Sequence, residues 1–396
     1  MHSNERNYGL REECSVNGDQ KNTVIVYRNH LLPRSETFIR EQVSHLRSYN
    51  YCYVGFRRVP GLSLPSKKVL TASGPGLPQK ISEASYKICG FSPFLIDNLR
   101  MLSPQLVHAH FGPDAVRAIP ISKALNIPLV VTFHGYGLTV KPSYAWRESL
   151  SQLIYLLRKN NLRKKATHFI AVSNYIKKLL IEQAFPPQKI STHYTGIDTC
   201  TFTPDEHVRR TPTVLFVGRL VEVKGCNYLI RAMSKVQSIF PDAELVVLGD
   251  GPLRSQLESS AQQRLKKYRF LGFQSPEVVR EWMNRSKVFC VPSITAKTGH
   301  TEAFGMVFIE AQAMGLPVVT FDIGGIPEAV AHNQTGFLVP GKDVDALSTR
   351  LISLLKDSER WQGMSQKGIR RVREKFDIRR QTKLLEDLYS VLIAQA

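Results

Sequence analysis

From Thr23 onward, short runs of apolar, largely β-branched residues alternate with longer segments whose apolar positions recur every three or four residues. TVIVY (23–27), YCYVGF (51–56), LVHAHF (106–111), PLVVTF (128–133) and THFIAVS (167–173) form a first series. Each is nearly continuous in apolar side chains and ends in polar or glycine residues. A parallel strand buried on both faces reads this way, with function at its carboxyl end. Ahead of the spacing Phe38, Ile39, Val43, Leu46, Ser35 stands where a helix N-cap belongs. A second series follows: TVLFVGRL (213–220), AELVVLGDG (243–251), YRFLGF (268–273), VFCVPS (288–293) and PVVTFD (317–322). After 336–340 the pattern is helical to the end. The expected class is α/β, with two Rossmann-like, doubly wound parallel sheets facing a central cleft that holds the ligand.

The polar stretch DTCTFTPDEHVRRTP (198–212) is the natural linker. It sets the expected boundaries: a disordered lead-in at 1–22, a first domain at 23–205, a second at 206–375, and a helix at 376–396 that can pack back on the first domain. The lead-in lacks the apolar core of a signal peptide, and no run is apolar long enough to span a bilayer, so a cytoplasmic protein is expected. Six scattered cysteines have neither CxxC pairing nor a nearby histidine at zinc-ligand spacing, which argues against a disulfide framework or structural metal.

Charge changes the picture. The formal net charge is +20 over 396 residues. Basic residues cluster at Arg57/Arg58/Lys67/Lys68, at Arg158/Lys159/Arg163/Lys164/Lys165 and at Arg370/Arg371/Arg373/Lys375. An anionic partner is expected, either a membrane surface or phosphorylated substrates. No RRM-, KH- or HTH-like signature is present, so nucleic acid is not expected.

Candidate chemistry concentrates in HTEAFGMVFIEAQAMGLPVVTFDIGGIPEAV (300–330), read as a loop, a helix from about Phe304 to Met314, a strand and a Gly-Gly turn. Gly305 at the helix start would let backbone approach a ligand, with the N–H groups of Gly305, Met306 and Val307 forming an anion site. Glu302 and Glu310 could reach opposite parts of one ligand; alternatively, Glu302 complements the helix dipole and Glu310 pairs locally. In FVGRLVEVKG (216–225), Arg219 and Lys224 follow a strand, beside Gly218 and Gly225. Two cations there suit a diphosphate, and a structural ion pair fits equally well. The DxD string Asp343–Asp345 directly precedes a helix and reads as a cap, so no metal site is expected. His108 and His110 share one strand face and read as packing and hydrogen-bonding groups near the cleft, and Trp146, Trp282 and Trp361 as packing residues.

These residues carry a resemblance. VGRLVEVKG, LGDGPL, FLGF, VPS, the Glu302–Glu310 spacing, PVV, GGIPE and TGFLV resemble, in order and spacing, retaining family-4 glycosyltransferases of the GT-B fold. PRSETFI, VHAHFG, TFHGYGL, AVS and TGID are similar to the subgroup acting in bacterial exopolysaccharide and colanic-acid-type assembly. The resemblance implies a metal-independent hexosyltransferase with no cofactor beyond a nucleotide-sugar co-substrate, a UDP- or GDP-sugar. Arg219 and Lys224 would hold the diphosphate, Glu310 the ribose, Glu302 the donor sugar beside the reacting carbon, and His134 the sugar from the opposite domain. Gly218, Gly305, Met306, Val307 and Ser35 would complete the substrate site. The acceptor would be a saccharide or lipid-linked molecule, met at the inner face of the plasma membrane by a peripheral protein. The family's residue after the first glutamate is commonly Gly; here it is Ala303, whose bulk bears on sugar selectivity. Rival readings are a nucleotide-sugar 2-epimerase and a non-catalytic nucleotide-sugar binder.

Overall fold

The first half of the chain supplies β1 (Thr23–Tyr27), β2 (His30–Leu31), β3 (Asn50–Gly55), β4 (Arg57–Arg58), β5 (Val69–Thr71), β6 (Pro104–His110), β7 (Leu129–Phe133), β8 (His168–Ala171) and β9 (Ile190–Thr192). The computed structural model describes residues 22–33, 36–72, 86, 92–141, 143–144 and 149–396. Seven of these strands form one parallel sheet in the order β5-β3-β1-β6-β7-β8-β9, and β2 pairs with β4. The second half supplies β10 (Thr213–Val217), β11 (Glu244–Leu248), β12 (Tyr268–Gly272), β13 (Val288–Cys290), β14 (Val318–Phe321) and β15 (Gly336–Val339). They form a parallel sheet ordered β12-β11-β10-β13-β14-β15. Both sheets start at a central strand, build outward on one side, then reverse, which is the doubly wound plan.

Why the strands read as continuous apolar runs is visible in β1. Ile25 and Tyr27 point into a core shared with Val107, Ala109, Val131 and Phe133. Val24 points the other way, onto Leu106, Val130 and Ile170. Successive side chains alternate faces and both faces are covered, so neither set can be polar. The second face is covered from afar. Helix Ile378–Ala394 lays Leu385, Tyr389 and Leu392 on it, a helical spacing of four and three. Glu386 Oε1 accepts the backbone N–H groups of Arg47 (2.7 Å) and Ser48 (2.6 Å), and Tyr389 OH lies 2.5 Å from His108 Nδ1. Helix Ile378–Ala394 thus packs on the sheet that holds β1.

Two segments cross between the halves side by side. Ile197 N–H donates to Phe376 O (2.9 Å) and Ile378 N–H to Ile197 O (2.8 Å). Between Asp198 and Pro212 there is neither helix nor strand, yet the segment is anchored: Arg210 donates to the carbonyls of Met283, Ser286 and Met314.

Several expectations shift. Edge strands β5, β9 and β15 are additional; β15 fills 336–339, and the helical tail expected after 340 follows it as helices Val344–Lys356, Ser358–Lys375 and Ile378–Ala394. The helix expected from Phe304 is Met306–Ala313. Ser35 lies outside the described residues, and the N-cap position of helix Thr37–Ser44 is Glu36, whose side chain makes no capping bond because Arg28 takes it. Cys52, Cys226 and Cys290 are buried free thiols and Cys200 an exposed one; Cys14 and Cys89 lie outside the described residues. Trp361 Nε1 donates to Lys287 O and Trp282 lies under Arg269; Trp146 is outside the described residues. Among the described residues no helix is long and apolar enough to cross a membrane.

Candidate active site

Strand order reverses between β10 and β13 in the second sheet, so the loops leaving their carboxyl ends diverge and leave a crevice. Arg219 and Lys224 leave β10; Ser293 and Glu302 leave β13. The crevice brings them together. Lys224 Nζ lies 2.5 Å from Glu302 Oε2, and Ser293 Oγ donates to the same oxygen at 3.4 Å. Arg219 is exposed, has no ion-pair partner among the described residues, and with Lys224, Thr301 and Glu302 lines a cavity of 330 Å³. The N–H of Gly218 is taken by Leu248 O (3.0 Å), so this glycine offers close approach rather than a donor.

Beyond Glu302 the chain turns into helix Met306–Ala313. Gly305 occupies its N-cap position at φ +88°, and a Cβ there would lie 2.4 Å from the Phe308 ring, so only glycine fits. No side chain caps this helix. The N–H groups of Gly305, Met306 and Val307 have no partner among the described residues and stand at the positive end of the helix dipole, with Gly305 and Met306 lining a cavity beside Glu302. Glu310, one helical turn further on, is half-buried and likewise has no partner among the described residues, so the local pairing considered for it is absent. Burial alone pushes its carboxyl up to about 7. Asp343 caps helix Val344–Lys356, and Asp345 pairs with Lys235, as the capping reading of that DxD string expected.

The first sheet closes the site from the opposite side. His134, just past β7, lines a cavity of 150 Å³ with Phe38, Thr195, Glu302, Ala303, Gly305 and Met306. Glu302 therefore borders both cavities. Ser173 Oγ donates to Ala303 O at 2.6 Å, and Gly135, at φ +103°, comes so close that a Cβ on it would lie 2.8 Å from the Ala303 methyl. Glu328, in the GGIPE turn, accepts the N–H groups of Asn174 (2.8 Å) and Tyr175 (2.9 Å) and the hydroxyl of Tyr194 (3.0 Å). A carboxylate of one half thus caps a helix of the other.

Sequence reasoning placed Ser173 and Glu328 in motifs without roles, and no spacing could have shown that they touch the opposite half. It read His108 and His110 as packing and hydrogen-bonding groups near the cleft, and both bond there: His108 with Tyr389 and Thr132, and His110 Nδ1 with His134 Nε2 at 3.0 Å.

Two family models match the chain: Glycosyltransferase Family 4 over residues 35–200 and Glycosyl transferases group 1 over residues 203–371. The chain belongs to the family-4 glycosyltransferases. Among relatives of this family-4 glycosyltransferase is the GDP-mannose-dependent monoacylated alpha-(1-6)-phosphatidylinositol monomannoside mannosyltransferase of Corynebacterium glutamicum. It is 34% identical over 53% of this chain and 59% of that protein. The amylovoran biosynthesis glycosyltransferase AmsK of Erwinia amylovora is 28% identical over 63% of this chain and 60% of that protein. The match therefore spans about three-fifths of each relative's length. A structure of HepE from Anabaena in complex with UDP and glucose has a TM-score of 0.74 at 18% identity, covering 94% of this chain and 100% of that one. The fold is GT-B.

Proposed function

We propose that this chain transfers a hexosyl group from a nucleoside diphosphate sugar, with retained anomeric configuration, to a hydroxyl of a saccharide or lipid-linked acceptor in cell-surface polysaccharide assembly. The observation that carries this reading is the convergence of Lys224, Glu302 and the uncapped helix start at Gly305 in one crevice, faced by His134 from the other sheet. Supporting it, the Erwinia relative is named for amylovoran biosynthesis, the Corynebacterium relative for GDP-mannose, and the Anabaena structure holds UDP and glucose.

In this reading Arg219, Lys224 and the amides of Gly305, Met306 and Val307 neutralise the diphosphate as the bond from the sugar's anomeric carbon to it breaks. The acceptor oxygen forms the new bond on the same face and its proton goes to the departing diphosphate. Charge stabilisation by fixed donors is the main protein contribution. Glu310 receives the ribose hydroxyls, and Glu302 and His134 hold the sugar. The positive charge comes from the protein, so no metal or other cofactor is needed.

A surface feature supports the location read for the acceptor. On helix Leu150–Lys165, Leu150 (66% exposed), Leu153 and Leu157 (75% exposed) form one outward stripe, with Lys164 and Lys165 exposed at its end. With a net charge of +20, this suits a peripheral enzyme on the anionic inner face of the plasma membrane.

The experiment is a thermal-shift screen of UDP- and GDP-sugars, followed by product analysis with the stabilising donor, with and without a saccharide acceptor. Transfer only when acceptor is present supports the proposal. A new epimer formed from donor alone would instead indicate a 2-epimerase, and tight binding without turnover a silent binder.

A further inference from the structure

His108, His110 and His134 form a column of imidazoles running from beneath the C-terminal helix to the cleft. His108 is held at both ring nitrogens, by Tyr389 OH at 2.5 Å and Thr132 Oγ1 at 2.6 Å. The His110 ring lies 4.3 Å from it and 5.3 Å from that of His134, nearly parallel to the latter at 26°. Phe38 and Phe111 pack on His134 at 4.8 and 4.9 Å, so its ring plane is set. The register explains the column: His110 pairs with Thr132 across β6 and β7, and His134 lies two residues beyond Thr132, so the same face recurs.

His110 is fully buried. Its Nδ1 lies 3.0 Å from His134 Nε2, and its buried Nε2 has no partner among the described residues. Burial pushes His108 and His134 down to about 3 and His110 well below the ordinary histidine range, with neighbouring histidines, and Arg28 for His110 and His134, acting in the same direction. All three rings are therefore neutral near pH 7, each with one N–H. Two neutral imidazoles joined by one bond have two arrangements. If His134 Nε2 donated, His110 would have to carry its proton on Nε2, leaving a buried N–H with no acceptor. Orphaned buried N–H groups are rare and costly. If His110 Nδ1 donates, its Nε2 carries only a lone pair.

We propose that His110 is a positioning residue that donates Nδ1–H to His134 Nε2, so that His134 meets the donor sugar with its Nδ1 as an N–H donor rather than an acceptor. The tautomer of a ring that touches substrate is then set by a residue that does not. The consequence for the sugar rests on the function proposed above; the tautomer assignment does not.

The test has two parts. Histidine-selective nitrogen NMR of the intact wild-type chain, with His134 assigned by its loss in His134→Gln, reads which ring nitrogen is protonated. Protonated Nδ1 on His134 is expected, and protonated Nε2 would overturn the proposal whether or not the chain turns over sugar. His110→Asn, whose amide places a donor where Nδ1–H stood, should keep transfer within a few-fold of wild type. His110→Phe, which keeps the ring but has no donor, should lower kcat by about tenfold or more. Its affinity for free nucleoside diphosphate should be unchanged. Equal kcat in wild type and His110→Phe, or equal loss in the Asn and Phe variants of unchanged thermal stability, would overturn it. A wild-type chain with the expected tautomer and no transfer activity would contradict the proposed function alone.

Discussion

Lys224 and Glu302, 78 residues apart, form a part-buried ion pair whose 2.5 Å contact spans the crevice between the loops of β10 and β13. Among the described residues Arg219 has no ion-pair partner, and the pair fixes Glu302 where two cavities meet. Lys224→Ala and Arg219→Ala should each weaken binding of nucleoside diphosphate sugar by about 2 kcal/mol, the size of a charge-assisted hydrogen bond. The two should differ in stability. Lys224→Ala strands a part-buried carboxylate and should lower Tm, whereas exposed Arg219→Ala should not. Calorimetric titration together with thermal unfolding checks both; unchanged affinity in both variants would place the diphosphate elsewhere.

Because Glu302 occupies the Lys224 ammonium, removing its charge frees that cation. Glu302→Gln should bind free nucleoside diphosphate at least as tightly as wild type while turnover collapses. Glu310→Gln should do the opposite, losing affinity for the free nucleotide. Equal losses of nucleotide affinity in the two variants would refute the division of roles.

Glu310 gives a pH signature. Its carboxyl is pushed up to about 7 by burial, above its usual 4.5, and ribose hydroxyls are best accepted by the ionised form. Nucleotide affinity should therefore rise with pH through about 7, with proton release on binding, and Glu310→Gln should flatten the profile. For stability, ionisation is disfavoured in the folded state. The favourable linkage is thus complete below 4.5 and lost as pH rises through about 7. Glu310→Gln should raise Tm at pH 8 relative to wild type and change it less at pH 5. A wild-type affinity independent of pH from 6 to 8 would contradict the ribose role.

Much of the fold was legible because burial on both faces leaves a strand little room for polar alternation: β1, β10 and β11 are apolar but for their first residue, and β6 and β7 are broken within by His108, His110 and Thr132, which bond to one another or to neighbouring side chains. Edge strands β5 and β9, with sequences VLT and IST, are short and partly polar, so they carry no such mark. The site divides similarly. Gly305 and the helix after it were legible from local order, and Arg219 with Lys224 from their place after a strand. The contact of Lys224 with Glu302 was not, since an ion pair and a diphosphate site look alike in sequence. Nor was the approach of Gly135 to Ala303, which depends on how two separately folded sheets meet.

That approach yields a specificity prediction. The Ala303 methyl lies against Gly135 beside Glu302, at the position where the family resemblance implies glycine. Ala303→Gly should enlarge the sugar cavity and reduce discrimination between donors differing by one substituent by about tenfold, the worth of a methyl-sized contact. Ratios of kcat/KM across a panel of sugars on one nucleoside diphosphate measure this, and an unchanged ranking would sever Ala303 from selectivity.

The exposed leucines of helix Leu150–Lys165 predict sedimentation with vesicles containing anionic lipid, weakened by salt because each basic residue contributes about 1 kcal/mol screened within a Debye length. Leu157→Asp with Lys164→Glu should abolish it and leave nucleotide affinity intact. Wild-type protein remaining in the supernatant at low salt would remove the membrane from the account.

The crevice should transfer a sugar with retention, using the protein's own positive charge. The measurement that decides this is the anomeric assignment, by NMR, of the product formed from an α-linked donor in excess EDTA. The expected result is an α-linked product formed at an undiminished rate. A β-linked product, or activity that only a divalent ion restores, would contradict it.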